Sequence, residues 1–312
     1  MRLSFDRVVK ALEVIDPVFL GTPQYVCEPL GEVLGVSITL KVETLNPVRC
    51  FKGRGATFCA AGLPGEGPLV CASAGNFGQA MAYACRTKGR KLHIFAGETA
   101  NRLKVERMRT LGADVHLAGE DFDAAKIEAR AFADIEGFQF VEDGLEPATA
   151  EGAGTIGLEL SPLELDAVLV PLGNGALLAG IGLAMRARAP KTKIVAVQAA
   201  GAPAMTESLR AGRVVTYDSI HTIADGIGVR IPIPEILGDL EGLVDDMLLV
   251  EEASIVSGMQ LIHRHAGLVV EPSGAVGVAA LLEHSHSFLG KRVGTILCGG
   301  NLTPEQMRMW LS

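Results

Sequence analysis

The chain has 312 residues and a net charge of −8, with 28 lysines and arginines against 36 aspartates and glutamates. That charge is spread along the sequence, which argues against nucleic acid or an anionic membrane surface as a partner. Apolar residues make up 48% of the chain and glycines number 37, a composition that excludes a disordered or fibrous protein and suits an α/β enzyme rich in tight turns. No stretch has signal-peptide or membrane-spanning length. The six cysteines, at 27, 50, 59, 71, 85 and 298, lack metal-type spacing and sit mostly in apolar runs. Reduced thiols and a cytoplasmic location are therefore expected.

In chain order, the first informative segment is Asn46-Pro47-Val48-Arg49-Cys50-Phe51-Lys52-Gly53-Arg54-Gly55. A lysine between a bulky apolar residue and glycine, after an Asn-Pro turn signal, sits where backbone and a planar ligand can approach closely. Its amine could form a Schiff base in a dry pocket, or snorkel to the surface. A strand at 68–72 follows, then a helix at 78–88 and a strand at 92–96. A helix at 101–111 is closed by Gly112 and leads to a strand at 114–117. A helix at 122–135 and a short strand at 138–141 complete a βαβα series, which implies a parallel sheet. A second series opens with a strand at 167–171, a glycine-rich loop, a helix ending at 189 and a strand at 193–197. Helices at 252–267 and 275–284 and a buried strand at 294–298 follow. The expected architecture is α/β with two domains, each a largely parallel sheet flanked by helices. A small unit at 68–145 is inserted in a large one at 1–67 and 146–312, with the site in the cleft between them.

Three loops at strand ends carry the chemistry. Ser73-Ala74-Gly75-Asn76-Phe77-Gly78 opens a helix, where backbone N–H groups suit a carboxylate and where Ser73 or Asn76 equally suits an N-cap. Leu172-Gly173-Asn174-Gly175-Ala176-Leu177 can wrap a phosphate at a helix start. A dinucleotide fingerprint would need a third glycine at Leu178 and an acid closing the next strand, which ends instead at Gln198. Cys298-Gly299-Gly300-Asn301 places a thiol after the last strand, and nothing adjacent marks it as an activated nucleophile.

Those loops, the Phe51-Lys52-Gly53-Arg54-Gly55 run and Glu271-Pro272-Ser273-Gly274-Ala275 occur together and in order. The constellation resembles the serine/threonine dehydratase branch of the fold-type II (tryptophan synthase β-like) pyridoxal-phosphate enzymes, from about residue 17 to 301. The resemblance implies that Lys52 is the catalytic residue and holds the cofactor, with Phe51 packing beside the ring. Asn76 would meet the ring hydroxyl and Cys298 the ring nitrogen. Gly173, Asn174, Gly175, Ala176 and Leu177 would hold the phosphate. Gly226 and Glu271 would border the cofactor. Ser73, Ala74, Gly75, Asn76 and Phe77 would surround the substrate. The implied activity is β-elimination on a β-hydroxy amino acid, threonine or serine, to a 2-oxo acid and ammonia, by a homodimer. Lyases for 3-hydroxyaspartate or phenylserine and β-replacement enzymes are the alternatives.

The departures from the family pattern lie near the substrate. Val48-Arg49-Cys50 replaces the usual Thr-Gly-Ser, and Phe77 replaces a histidine. Arg49 could meet a second carboxylate or simply be exposed. Ala74 stands where the family's racemases carry a second serine, so racemisation is not expected. The family's cation site would fall at Gln198, Ala202 and Ala204, which offer too few hard oxygens, and no metal is expected.

Overall fold

The computed structural model describes residues 1–311. The chain opens with α1 (Phe5–Val14), β1 (Gln24–Val26), α2 (Glu28–Leu34), β2 (Ser37–Val42) and α3 (Lys52–Gly62). It continues through β3 (Leu69–Ala72), α4 (Asn76–Thr87), β4 (Leu92–Ala96), α5 (Arg102–Thr110), β5 (Asp114–Leu117), α6 (Phe122–Glu136) and β6 (Gln139–Phe140). Next come α7 (Pro147–Leu160), β7 (Ala167–Pro171), α8 (Ala176–Arg188), β8 (Lys193–Ala199), α9 (Ala204–Ala211), α10 (Pro234–Leu240) and β9 (Asp246–Val250). The chain closes with α11 (Glu252–Ala266), α12 (Pro272–Glu283), α13 (Ser285–Phe288), β10 (Arg292–Leu297) and α14 (Pro304–Leu311).

Two sheets organise these elements. One has the order β1-β2-β10-β7-β8-β9 and the other β5-β4-β3-β6. Among the strands of the described residues, only β1 pairs antiparallel, with β2. The central strands β7, β8 and β10 are almost wholly buried, as parallel strands covered on both faces must be. In the larger sheet β7, β8 and β9 step outward one way while β10 lies on the other side of β7. In the smaller sheet β4 and β5 step one way from β3 and β6 lies on the other. The loops after β3, β7 and β10 therefore sit at the points where strand order reverses, and ligands of open parallel sheets bind there.

The sheets suggest taking 68–145 as the small unit and the rest as the large one. The apolar core does not follow that line, because Ala11, Phe19, Val48 and Phe58 pack in one cluster with Leu69, Met81 and Met108. α7 is buried on every side and lies against both α3 and α8 through small residues. A Cβ at Gly180 would stand 2.0 Å from the Ala150 carbonyl oxygen, and one at Gly55 2.3 Å from that of Thr149. α3, which begins at Lys52, is thus clamped backbone-to-backbone against a buried helix.

Candidate active site

The backbone before Lys52 is stitched to the loop after β10. Phe51 N–H donates to the Cys298 carbonyl (3.0 Å), Gly300 N–H donates to the Arg49 carbonyl (2.9 Å), and Cys50 bridges Gly299. Asn301 Nδ2 donates to the Val48 carbonyl at 2.9 Å. Arg49 turns through a left-handed conformation (φ 52°), which costs an L-residue about 1 kcal/mol. An amine and a thiol distant in sequence are thereby fixed across one cavity of about 350 Å³ that both line.

Lys52 Nζ lies 2.5 Å from Asp143 Oδ2 and 4.8 Å from the centre of the Phe51 ring. The second Asp143 oxygen is buried and has no hydrogen-bond partner. The loop after β3 forms the facing wall. Ser73 Oγ accepts the N–H groups of Gly75 (3.2 Å) and Gly78 (3.0 Å), so the serine caps α4 and keeps its hydroxyl hydrogen to donate. Asn76 engages both ends of its amide, with Nδ2 donating to Glu271 Oε1 (2.7 Å) and Oδ1 accepting from Asn301 Nδ2 (2.8 Å). Glu271 also accepts the Asn301 N–H. Its carboxyl is fully buried, and burial pushes it up to about 7, with Asp225 adding to the rise and Lys104 opposing it.

The glycine loop after β7 ends on Gly175, whose φ of 94° and position 2.4 Å (as a Cβ) from the Ile236 side chain leave no room for any other residue. Gly173, Asn174, Gly175 and Leu177 line the cavity, and Ala176 does not. The Ala176 N–H donates to Asn174 Oδ1 at 3.2 Å, so the asparagine side chain tightens the loop and that N–H is already used. Gly226 crosses the cavity where a Cβ would stand 2.8 Å from Ser273 Oγ. The Cys298 thiol is pushed well above its ordinary value by burial and by Glu271 and stays neutral. Ala74, Gly75 and Phe77 line the same space, whereas Arg49 is exposed and lies outside it.

Four polar cavity residues are missing from the sequence-predicted site: Asp143, Ser273, Lys104 and Asp225. Lys104 reaches across the cleft from α5 to Asp225 Oδ2 at 2.5 Å. Burial disfavours its charge, but Asp225 outweighs this and raises Lys104 above the ordinary lysine value. Asp143 was the most findable of the four, since Glu142-Asp143-Gly144 puts an acid at the carboxyl end of a strand in a parallel sheet.

The family model described as "Pyridoxal-phosphate dependent enzyme" matches residues 15–299. The chain belongs to that family. It is 36% identical over 310 residues to an L-threonine ammonia-lyase of Thermotoga maritima, covering 96% of this chain and 76% of that protein. It is 34% identical over 308 residues to the biosynthetic L-threonine dehydratase IlvA of Bacillus subtilis, covering 96% and 73%. Among solved structures, maize serine racemase superposes with a TM-score of 0.93 at 28% identity, covering 99% of this chain and 97% of that one.

The residues fit the family's cofactor. Its aldehyde calls for an amine, which Lys52 supplies on the cavity wall. Its phosphate calls for N–H groups at a helix start, which the first turn of α8 behind Gly173 and Gly175 provides. A pyridine ring calls for neutral polar neighbours, and the Cys298 thiol is one. Ser273 Oγ is another, buried in the cavity lining with no protein partner. An unsatisfied buried hydroxyl costs about 1–3 kcal/mol, which a bound ligand would recover. This pyridoxal-phosphate enzyme is thus built around a group that its own polar atoms await.

Proposed function

We propose that the chain is an ammonia-lyase that converts a β-hydroxy amino acid, threonine or serine, to a 2-oxo acid and ammonia. The observation that carries this reading is Lys52 on the cavity wall with Asp143 at 2.5 Å, in a chain related over 96% of its length to an L-threonine ammonia-lyase. When bound, pyridoxal phosphate supplies a carbonyl for the substrate amine and a ring that takes up the electrons left when Cα loses its proton. Lys52, Gly173, Asn174, Gly175 and Leu177 would hold it, with Cys298 and Ser273 beside the ring. Lys52 Nζ is the base for the Cα proton, and Asp143 Oδ2 orients that nitrogen by accepting its hydrogen bond. The first-turn N–H groups of α4 and the Ser73 hydroxyl receive the substrate carboxylate. Loss of the Cα proton and of the β-hydroxyl as water leaves an enamine. Its hydrolysis gives the oxo acid and ammonia. A neutral Cys298 does not hold a proton on the ring nitrogen as a carboxylate would, which favours prompt elimination over transamination.

The surroundings weigh against the neighbouring activities. A 3-hydroxyaspartate lyase needs a free cation for the second carboxylate, yet Lys52 and Lys104 face Asp143 and Asp225 and Arg49 is outside the cavity. A racemase needs a second proton donor, and Ala74 has none. Phe77 replaces the polar loop residue that β-replacement enzymes prefer. A lyase for phenylserine is the second reading, and one observation favours it. A further cavity of about 290 Å³ adjoins the first, and beside charged residues (Asp121, Asp123, Lys126, Glu142, Arg230) it offers Phe77, Phe122, Phe140, Ile231 and Ile233, an apolar part suited to an aromatic side chain.

Oxo-acid and ammonia release from serine, threonine, 3-hydroxyaspartate and phenylserine tests the reading. Threonine and serine are expected to turn over with no racemised amino acid left behind, and 3-hydroxyaspartate to be the poorest of the four. Absence of turnover on all of them would sink the lyase assignment. We propose further that the enzyme is a cytoplasmic homodimer. Its support is the exposed apolar set Val18, Tyr25, Val26 and Val33 around the unpaired edge of β1, together with six free buried cysteines. No helix among the described residues is long and apolar enough to cross a membrane.

A further inference from the structure

The smaller sheet carries a second chemical cluster, none of whose members lines either cavity. His93 on β4 pairs in register with Asp114 on β5, and Phe95 with His116. Residues two apart on a strand share a face, so His93, Asp114 and His116 project together at the sheet edge. His93 Nδ1 stands 3.1 Å from His116 Nε2. Asp114 Oδ2 stands 3.5 Å from the first nitrogen and 3.7 Å from the second. One shared proton can bridge the two imidazoles, but it leaves the carboxylate outside hydrogen-bonding distance of both. A single cation serves all three. Ligand atoms on a tetrahedral zinc with bonds of about 2.0–2.1 Å lie about 3.3–3.4 Å apart, and the observed triangle brackets that edge. Aromatic packing holds the rings in place. His93 stacks on Phe138 at 5.6 Å, His116 stacks on Phe95 at 4.6 Å, and Phe132 abuts both. Asp114 is 67% exposed and His116 33%, which leaves an entry path and room for water ligands.

We infer that His93, Asp114 and His116 form a binding site for a divalent transition-metal ion of the zinc type. Two imidazoles and one carboxylate select such an ion over magnesium or calcium, which prefer all-oxygen shells. The ion ties edge strand β5 to β4 and stabilises the small sheet without touching the reaction. The site lies apart from Gln198, Ala202 and Ala204. Gln198 there accepts the Thr206 N–H, so it is already engaged within the protein.

The test uses tag-free, full-length holoenzyme stripped with a chelator. It is titrated with Co²⁺, followed by visible ligand-field absorption, and then with Zn²⁺ in competition. One ion per chain is expected, with a Kd on the order of micromolar and a raised Tm. His93→Gln and His116→Gln should each weaken binding by at least about thirtyfold, and turnover should be unchanged. Asp114→Asn, at an exposed position where folding is not at stake, should weaken it by about tenfold. No binding at tens of micromolar (roughly ten times the expected Kd), or affinity unaltered in Asp114→Asn and in either histidine variant, would overturn the site.

Discussion

Replacing Lys52 with alanine is expected to lower kcat for threonine and serine by at least about four orders of magnitude. Two losses combine in that number. The cavity loses the amine that would hold the cofactor, and the reaction loses the nitrogen that takes the Cα proton. Ala74 carries no group to stand in, and the Cys298 thiol, held neutral by burial and Glu271, is no base. The visible absorption of covalently held cofactor should disappear with the activity. Asp143→Asn separates positioning from chemistry. It keeps the shape of the side chain that Lys52 Nζ contacts at 2.5 Å and removes only its charge. Visible absorption should then persist while kcat falls by about ten- to a hundredfold, the range of a misaligned general base. Full activity in Lys52→Ala would refute the assignment of the site. Full activity in Asp143→Asn would refute only the orienting role.

What the sequence made legible follows from how each element is buried. The strand at 167–171 matches β7 residue for residue, because a short apolar run bounded by turn signals has few other homes in an α/β chain. The helix at 122–135 was bounded by its own caps, Asp121 accepting from Ala124 N–H at the start and Gly137 in a left-handed turn at the end. α3 and α7 were not legible. α7 is buried all round and made largely of alanine, glycine and threonine, so no polar face betrays the helical period. β2 hides a wholly buried Lys41, a residue that reads as surface until its partners are known. The site shows the same division. The glycine loops sit at strand ends and carry their own signature, whereas Asp143 matters only because its loop comes to face Lys52. His93 and His116 are 23 residues apart and gain meaning only through the register of β4 and β5.

Arg54 shows how such hidden contacts bear on the reaction, and its loss should be the most destabilising single change near the site. Two residues beyond Lys52 on α3, its guanidinium is wholly buried. It donates to Glu43 at 2.8 and 3.0 Å, to Glu159 at 2.6 and 3.0 Å, and to the hydroxyls of Thr22 and Thr155. Lys41 completes the cluster, 2.5 Å from Glu159. Two cations and two carboxylates balance, and every guanidinium nitrogen is used. Methionine fills similar space but leaves one buried carboxylate, Glu43, and one half-buried, Glu159, with a single lysine. The cost of breaking such a pair is about 3–5 kcal/mol, a fall in Tm on the order of 10 °C. Arg292→Ala, which cuts an exposed contact with Glu164, should cost less than about 1 kcal/mol. The pH dependence gives an independent reading. Burial alone would raise Glu159, but Arg54 and then Lys41 outweigh it and hold the carboxyl below its ordinary 4.5. A carboxyl lowered on folding contributes stability that is complete above about 4.5 and lost as pH falls through the folded value. The gap in Tm between wild type and Arg54→Met should therefore be widest near neutrality and should narrow on acidification below the ordinary carboxyl value of 4.5. A constant gap would mean that packing, not charge, sets the cost. Because α3 begins at Lys52, the same variant should also lose turnover beyond what its folded fraction explains. A displacement of about 1 Å at a reacting group can cost about a hundredfold in rate, and the clamp that prevents it is a salt-bridge cluster outside the cavity.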